Sequence, residues 1–187
     1  EKLRLISARN YSDDPVLREE EVKNDLFNSI IGTGQQKRPS VETSLHELID
    51  YNFVVHLHPT LINGILCSRN ARSLVVKLFG DKVLFVPYTD PGFTLFKKLE
   101  SEIKKYRDQF SSDPQIIFLE NHGSFVGADS ADEVKRIYEE ILLTIETQIS
   151  PLKDTDELPF NPVLLKVLPA LRMILSVDKL KVIRYRH

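Results

Sequence analysis

Two histidines one residue apart, His56 and His58, stand in the β-rich run FVVHLH. Alternate side chains of a strand share a face, so two imidazoles at this spacing can converge on one ion while Leu57 points away. The same pair also suits hydrogen-bonded histidines in a half-buried strand. His122 stands in ENHGSF, at the mouth of another β-rich run and beside Gly123, where the missing side chain lets a ligand or ion approach the backbone. Asn-His-Gly is equally the composition of a plain turn. Three imidazoles with a fourth position open would be the donor set of a catalytic metal. Zn2+ suits such ligands best, and iron, manganese or cobalt are also admitted.

Glu42, in RPSVETSLHEL, follows Pro39-Ser40, where Ser40 can cap a short helix and a carboxylate in the first turn is favoured by the helix dipole. Three roles stay open for it: capping, a fourth metal ligand, or a general base. His46 is one helical turn further on and is read as structural, bonding or orienting Glu42. Tyr88 directly follows a strand end in VPYTDPGF, a position from which a phenol can donate a proton to a substrate oxygen or simply pack at the rim. Phe53, Phe85, Phe96 and Phe118 read as core, and no glycine-rich phosphate loop for a nucleotide is present.

These side chains need elements to hold them. The spacing predicts a helix from Pro15 to about Ile31, a short helix after Ser40, a strand over Phe53 to His58, and a helix over Thr60 to Ser68. A buried strand over Val83 to Val86 and a long helix over Gly92 to Gln109 come next. Strands over Gln115 to Leu119 and Ser124 to Val126 then flank the Asn121-His122-Gly123 turn. Ser130 and Glu133 form a capping box that opens a helix to about Ser150. An apolar helical stretch near Val163 to Leu175 and a β-rich KVIRYRH close a mixed α/β chain, read as one domain over 1–187.

The 187 residues carry a formal net charge of −2 with both signs scattered, so a nucleic-acid partner is not expected. No apolar run approaches the roughly 20 residues that span a bilayer, so no membrane partner is expected either. Cys67 is the only cysteine, which leaves no intrachain disulfide or thiolate cluster and makes a reducing cytoplasmic setting the simplest expectation.

In order along the chain, RPSVETSLHELI, VVHLHPT, VPYTDPGF and FLENHGSFVGADSADEV resemble the class II aldolase/adducin family. The resemblance is strong from about Pro39 to Gln148. It continues weakly through PALRMILSVDKLKVIRY, which looks like the end of the aldolase half of bifunctional rhamnulose-1-phosphate aldolase/dehydrogenase proteins. It implies an α/β fold with a largely antiparallel central sheet flanked by helices. It also implies zinc on His56, His58 and His122, Glu42 as acid/base or fourth ligand, and Tyr88 near the substrate, with Ser40, Asn121 and Gly123 contacting it.

The implied reaction is metal-dependent cleavage of a small sugar phosphate, a ketose 1-phosphate such as rhamnulose 1-phosphate, to dihydroxyacetone phosphate and an aldehyde. The implied assembly is a homotetramer with sites at subunit interfaces. A sugar-phosphate 4-epimerase of the same family, or a non-catalytic adducin-like interaction domain, are the rival readings. The family's N-terminal Gly-Asn-x-Ser segment, which helps hold the substrate phosphate, has no counterpart here, and Val41 replaces the second serine of the usual Pro-Ser-Ser. The expectation is therefore a class II aldolase-like domain without its N-terminal segment.

Overall fold

Two short runs, VLFV and IIFL, are apolar at every position, which requires both faces of their strands to be covered. The computed structural model meets that requirement. It describes residues 2–32, 38–148 and 162–176. Four strands, β1 (Phe53–Leu57), β2 (Val83–Val86), β3 (Ile116–Leu119) and β4 (Gly123–Ala128), form one sheet in the order β1-β4-β3-β2. β4 is antiparallel to both β1 and β3, whereas β2 and β3 are parallel. The fold is thus mixed α/β with a mainly antiparallel sheet between helices.

The helices are α1 (Lys2–Ala8), α2 (Pro15–Asn28), α3 (Thr43–Glu47), α4 (Thr60–Leu66), α5 (Ala71–Phe79), α6 (Phe93–Phe110), α7 (Ala131–Glu146) and α8 (Pro162–Leu175). Residues 1–149 form one unit and 150–187 a second. In the second, α8 coincides with the helix expected near Val163 to Leu175, while KVIRYRH lies outside the described residues. No helix among the described residues is long and apolar enough to cross a membrane.

Strand alternation divides the core of the first unit into two layers. Val83, Phe85, Phe118 and Val126 face Ile62, Leu66, Val75, Ile137 and Ile141 from α4, α5 and α7. Leu84, Val86, Ile117, Leu119 and Phe125 face Leu45 of α3 and Leu95, Phe96, Leu99 and Ile103 of α6. Each side chain fully withdrawn from water here contributes about 1.5–3 kcal/mol, which fixes strand register, since a one-residue slip would exchange the layers. Ser130 caps α7 as expected, its Oγ accepting from the Glu133 amide at 3.2 Å, while the Glu133 carboxylate accepts from Gln115 at 3.3 Å rather than closing the box.

Strand direction decides which loops share an end of the sheet. β1, β2 and β3 all run the same way, and β4 returns between β1 and β3. The chain therefore leaves β1 at His58, β2 at Pro87-Tyr88 and β3 at Glu120-Asn121-His122 from one common end. α1 and α5 were not expected from the sequence.

Candidate metal centre

His56 pairs directly with Phe125 across β1 and β4, and the two rings stack at 4.1 Å. Its side chain therefore lies on the α3–α6 face, with Val54 and, one step beyond the strand end, His58. Gly123 opens β4 opposite that step. A Cβ at position 123 would lie 2.2 Å from His58 Cδ2 and 2.9 Å from both His58 Nε2 and the Leu57 carbonyl, so the close approach that glycine permits is that of the His58 imidazole. His122 arrives from the three-residue β3–β4 connection, in which Asn121 takes a left-handed conformation at φ 57°. The Asn121 amide donates to the Leu66 carbonyl at 3.2 Å, pinning the connection to the end of α4.

The three rings meet. His56 Nε2 and His58 Nε2 are 2.9 Å apart, His56 and His122 centroids 5.2 Å apart, and His58 and His122 centroids 5.1 Å apart. One ligating nitrogen from each lies within 4.8 Å of the others. Glu42 completes the group, with Oε1 2.9 Å from His122 Nε2 and Oε2 3.7 Å from His56 Nε2. Nitrogen ligands about 2.0–2.1 Å from a shared tetrahedral ion stand about 3.3–3.4 Å apart. Small side-chain rotations reach that spacing from these positions, so the residues fit a divalent ion.

The tautomer of His56 supports the fit. Its Nδ1–H donates to the Ser124 carbonyl at 2.9 Å, leaving the Nε2 lone pair aimed into the cluster, the usual arrangement behind a metal-binding imidazole. Burial lowers the His56 pKa from 6.5 to about 4, although the Glu42 charge and the Ser124 bond oppose the shift. The ring is therefore neutral at pH 7. The His56 Nε2 lone pair, the Nε2 atoms of His58 and His122 and the Glu42 carboxylate together make a donor set that a divalent cation would satisfy.

The remaining expected residues occupy less uniform positions. Glu42 is the N-cap of α3, one position before its first turn, and makes no side-chain capping bond. Ser40 supplies the local bond instead, its Oγ accepting from the Glu42 amide at 3.1 Å. His46 does not orient the Glu42 carboxylate: its ring packs edge-on against Phe125 at 5.2 Å and His56 at 6.5 Å. Tyr88 is 56% exposed, and its hydroxyl donates to Asp90 at 3.1 Å, which holds the phenol above its ordinary pKa. β2 is three strand spacings from β1, roughly 14 Å, which separates Tyr88 from His56 and His58 of this chain, whereas His122 follows the neighbouring strand β3.

Two supporting groups escaped the sequence reading. Glu120 accepts from the Tyr88 amide at 2.8 Å and so links the ends of β2 and β3; its place two residues before His122 was the one signal for it. Tyr138 of α7 is buried, with its hydroxyl 3.2 Å from the Val55 carbonyl and 3.3 Å from the Ser124 carbonyl. Nothing but the helical period marked it.

Two results are expected. Gly123→Ala should leave a folded chain whose zinc affinity, measured by competition with a chromogenic chelator, is at least about tenfold weaker, the scale of a disturbed ligand environment. Unchanged affinity would show that His58 is free to move aside. Tyr138→Phe should lower unfolding free energy in urea by about 1 kcal/mol, the value of a lost buried hydrogen bond, with metal content unaltered.

Residues 2–149 match the class II aldolase and adducin N-terminal domain, and the chain belongs to that family. It is similar to the N-terminal class II aldolase domain of a conserved protein from Thermoplasma acidophilum, with 26% identity and a TM-score of 0.62 over 80% of this chain and 63% of that one. It is also 26% identical over 140 residues to the Bacillus subtilis (strain 168) protein named "Uncharacterized oxidoreductase YuxG". That match covers 70% of this chain but 20% of the relative, so the chain corresponds to about one fifth of that protein's length.

Proposed function

We propose that this chain is a zinc-dependent aldehyde-lyase that cleaves a ketose 1-phosphate, rhamnulose 1-phosphate or a similar deoxy sugar, to dihydroxyacetone phosphate and an aldehyde. The observation that carries the reading is the convergence of three imidazole nitrogens on one point with the Glu42 carboxylate beside them. A divalent ion held by His56, His58 and His122 supplies Lewis-acid polarisation of the substrate carbonyl.

In the cleavage direction the C4 hydroxyl gives its proton to the Tyr88 oxygen as the Tyr88 hydroxyl proton passes to Asp90. The C3–C4 bond breaks, its electron pair staying with the C3 fragment. A proton then returns to C3 to complete dihydroxyacetone phosphate. Glu42 moves the carbon-bound proton, because its carboxylate lies against the ligand nitrogens and is 27% exposed, open to substrate. Tyr88 serves the oxygen that becomes the aldehyde. Its exposed position makes it available to a substrate reaching along the strand ends or to a second copy of the chain, consistent with the proposed cytoplasmic homotetramer with sites at its interfaces. Ser40, Asn121 and Gly123 border the same space by their places beside Glu42, His58 and His122.

The deciding experiment measures metal content and product together. Protein purified without a metal-affinity tag should hold about one divalent ion per chain, the stoichiometry of a single three-histidine site. It should release dihydroxyacetone phosphate from rhamnulose 1-phosphate, and a chelator should stop the reaction. An epimeric sugar phosphate without triose release would make the chain an epimerase. A chain that refuses added zinc would remove the catalytic reading and leave an interaction domain.

A further inference from the structure

Among the described residues the core holds two serines, Ser44 and Ser124. Ser44 lies in α3, and its hydroxyl turns back to the Val41 carbonyl at 3.5 Å. Ser124 is 0% exposed in β4, where alternation puts its side chain with Val126 in the apolar layer of Ile62, Leu66 and Ile141. A hydroxyl in such a layer costs free energy unless it is hydrogen-bonded, and a β-branched apolar residue would suit the strand better. That cost points to a use for the oxygen.

The bonds of Ser124 run to the neighbouring strand. Its hydroxyl donates to the Leu57 carbonyl at 3.2 Å, and its carbonyl accepts from His56 Nδ1 at 2.9 Å. The Leu57 carbonyl belongs to the planar peptide group that leads into His58. One residue of β4 therefore holds the ring of His56 and the peptide plane from which His58 starts. Tyr138 of α7 backs the same residue, its hydroxyl 3.3 Å from the Ser124 carbonyl and 3.4 Å from the Ser124 hydroxyl.

His58 needs such a hold more than His56 does. Pairing between β1 and β4 ends at Leu57 and Ser124, so His58 lies one residue beyond the last rung and is exposed. The His56 ring is stacked on Phe125 and bonded through Nδ1 to a backbone carbonyl. For the ring of His58 the described residues provide neither. Gly123 gives that ring room but no fixed direction. The direction in which the His58 side chain leaves the backbone follows from the peptide plane that the Ser124 hydroxyl holds.

From this arrangement we infer that Ser124 is a positioning residue of the metal centre, its hydroxyl setting the orientation of His58 relative to His56 before an ion binds. Ligands ordered in advance lose less freedom on binding, so the hydroxyl is felt as metal affinity. The carbonyl half of the brace is backbone and is kept by any residue at this position, so the share of the hydroxyl can be removed by itself. The inference rests on the three-histidine centre of the proposed reading and on nothing about the substrate.

The test compares wild type, Ser124→Ala and Tyr138→Phe, each stripped of metal. Zinc affinity is read by competition with a chromogenic chelator, and the ligand field by the visible absorption of the Co2+-loaded chains. Alanine differs from serine by one oxygen, and circular dichroism with urea unfolding of the metal-free proteins checks that each variant folds. Tyr138→Phe removes a hydroxyl from the same layer but leaves the bond from Ser124 to Leu57, so it shows what a lost buried hydroxyl does by itself. Ser124→Ala should bind zinc at least about tenfold more weakly, the scale of a lost partner behind a metal ligand, and its Co2+ bands should shift or weaken. Tyr138→Phe should keep the wild-type affinity and spectrum. Equal affinity and equal spectra in wild type and Ser124→Ala would overturn the inference and leave the metal centre standing, with Ser124 a brace between strands. Equal weakening in both variants would overturn it as well, since the loss would then follow the layer and not the Leu57 bond. A wild type that binds neither ion removes the centre and the inference together.

Discussion

Glu42→Gln should retain about one zinc per chain, as a single three-histidine site requires, and lose roughly 10²- to 10⁴-fold in kcat for ketose 1-phosphate cleavage, the span typical of a missing general acid/base. Glutamine keeps the volume and can still hydrogen-bond His122 Nε2, which the carboxylate meets at 2.9 Å. It cannot take or return a proton. The same variant separates the two roles that the sequence leaves open for this residue. A fourth ligand would give a chain whose zinc affinity falls with its activity, because an amide oxygen is a weaker donor than a carboxylate. A base would give full zinc occupancy with failed turnover. Glu42 sits 3.7 Å from His56 Nε2 and 2.9 Å from His122 Nε2, close enough for either role, so the zinc occupancy of the variant makes the choice. Near-normal kcat would defeat the assignment.

How much of this could be read from residues alone depended on the range of the forces involved. The strands VLFV and IIFL, the helix from Gly92 onward and the Ser130 cap were legible because each is set by local burial pattern or by a side chain three residues from its partner. His56 and His58 were placed on one face by strand periodicity alone. α5 was missed because ARSLVVKLF carries adjacent β-branched valines. It is helical because Ala71 and Val75 fit the layer formed by Phe85 and Phe118, a tertiary preference that outweighs a propensity of tenths of a kcal/mol. α1 is seven residues long and holds through Ile6, which packs with Val22 and Leu26 of α2.

Long-range pairing hid the rest. No local signal sets β4 between β1 and β3, yet that order brings Gly123 opposite His58 and Ser124 behind His56. The expected side-chain bond from His46 to Glu42 does not form, although the pair keeps helical spacing, with the His46 amide donating to the Glu42 carbonyl at 3.4 Å. The histidine turns instead toward Phe125. Tyr88 was correctly placed at a strand end, but its strand lies at the far edge of the sheet, which spacing along the chain could not show.

His122→Ala should remove zinc and cleavage together while leaving the metal-free fold as stable as metal-stripped wild type. The side chain is 18% exposed on a three-residue connection, and the hydrogen bond that holds this connection to α4 uses the Asn121 backbone, so truncation opens no core cavity. Two imidazoles remain, too few to hold a catalytic ion firmly. Thermal unfolding tests this without any assumption about substrate. A ligand that binds only the folded chain stabilises it by about 2.7 kcal/mol at one hundred times its dissociation constant. Wild type should therefore melt several degrees higher with zinc than with chelator, whereas the two curves of His122→Ala should coincide near that of chelated wild type. A variant that still gains stability from zinc would place the ion elsewhere. A wild type indifferent to the chelator would mean that the converging nitrogens satisfy one another through shared protons, with Glu42 as their acceptor, and that the centre is a hydrogen-bonded brace between β1, α3 and the β3–β4 connection.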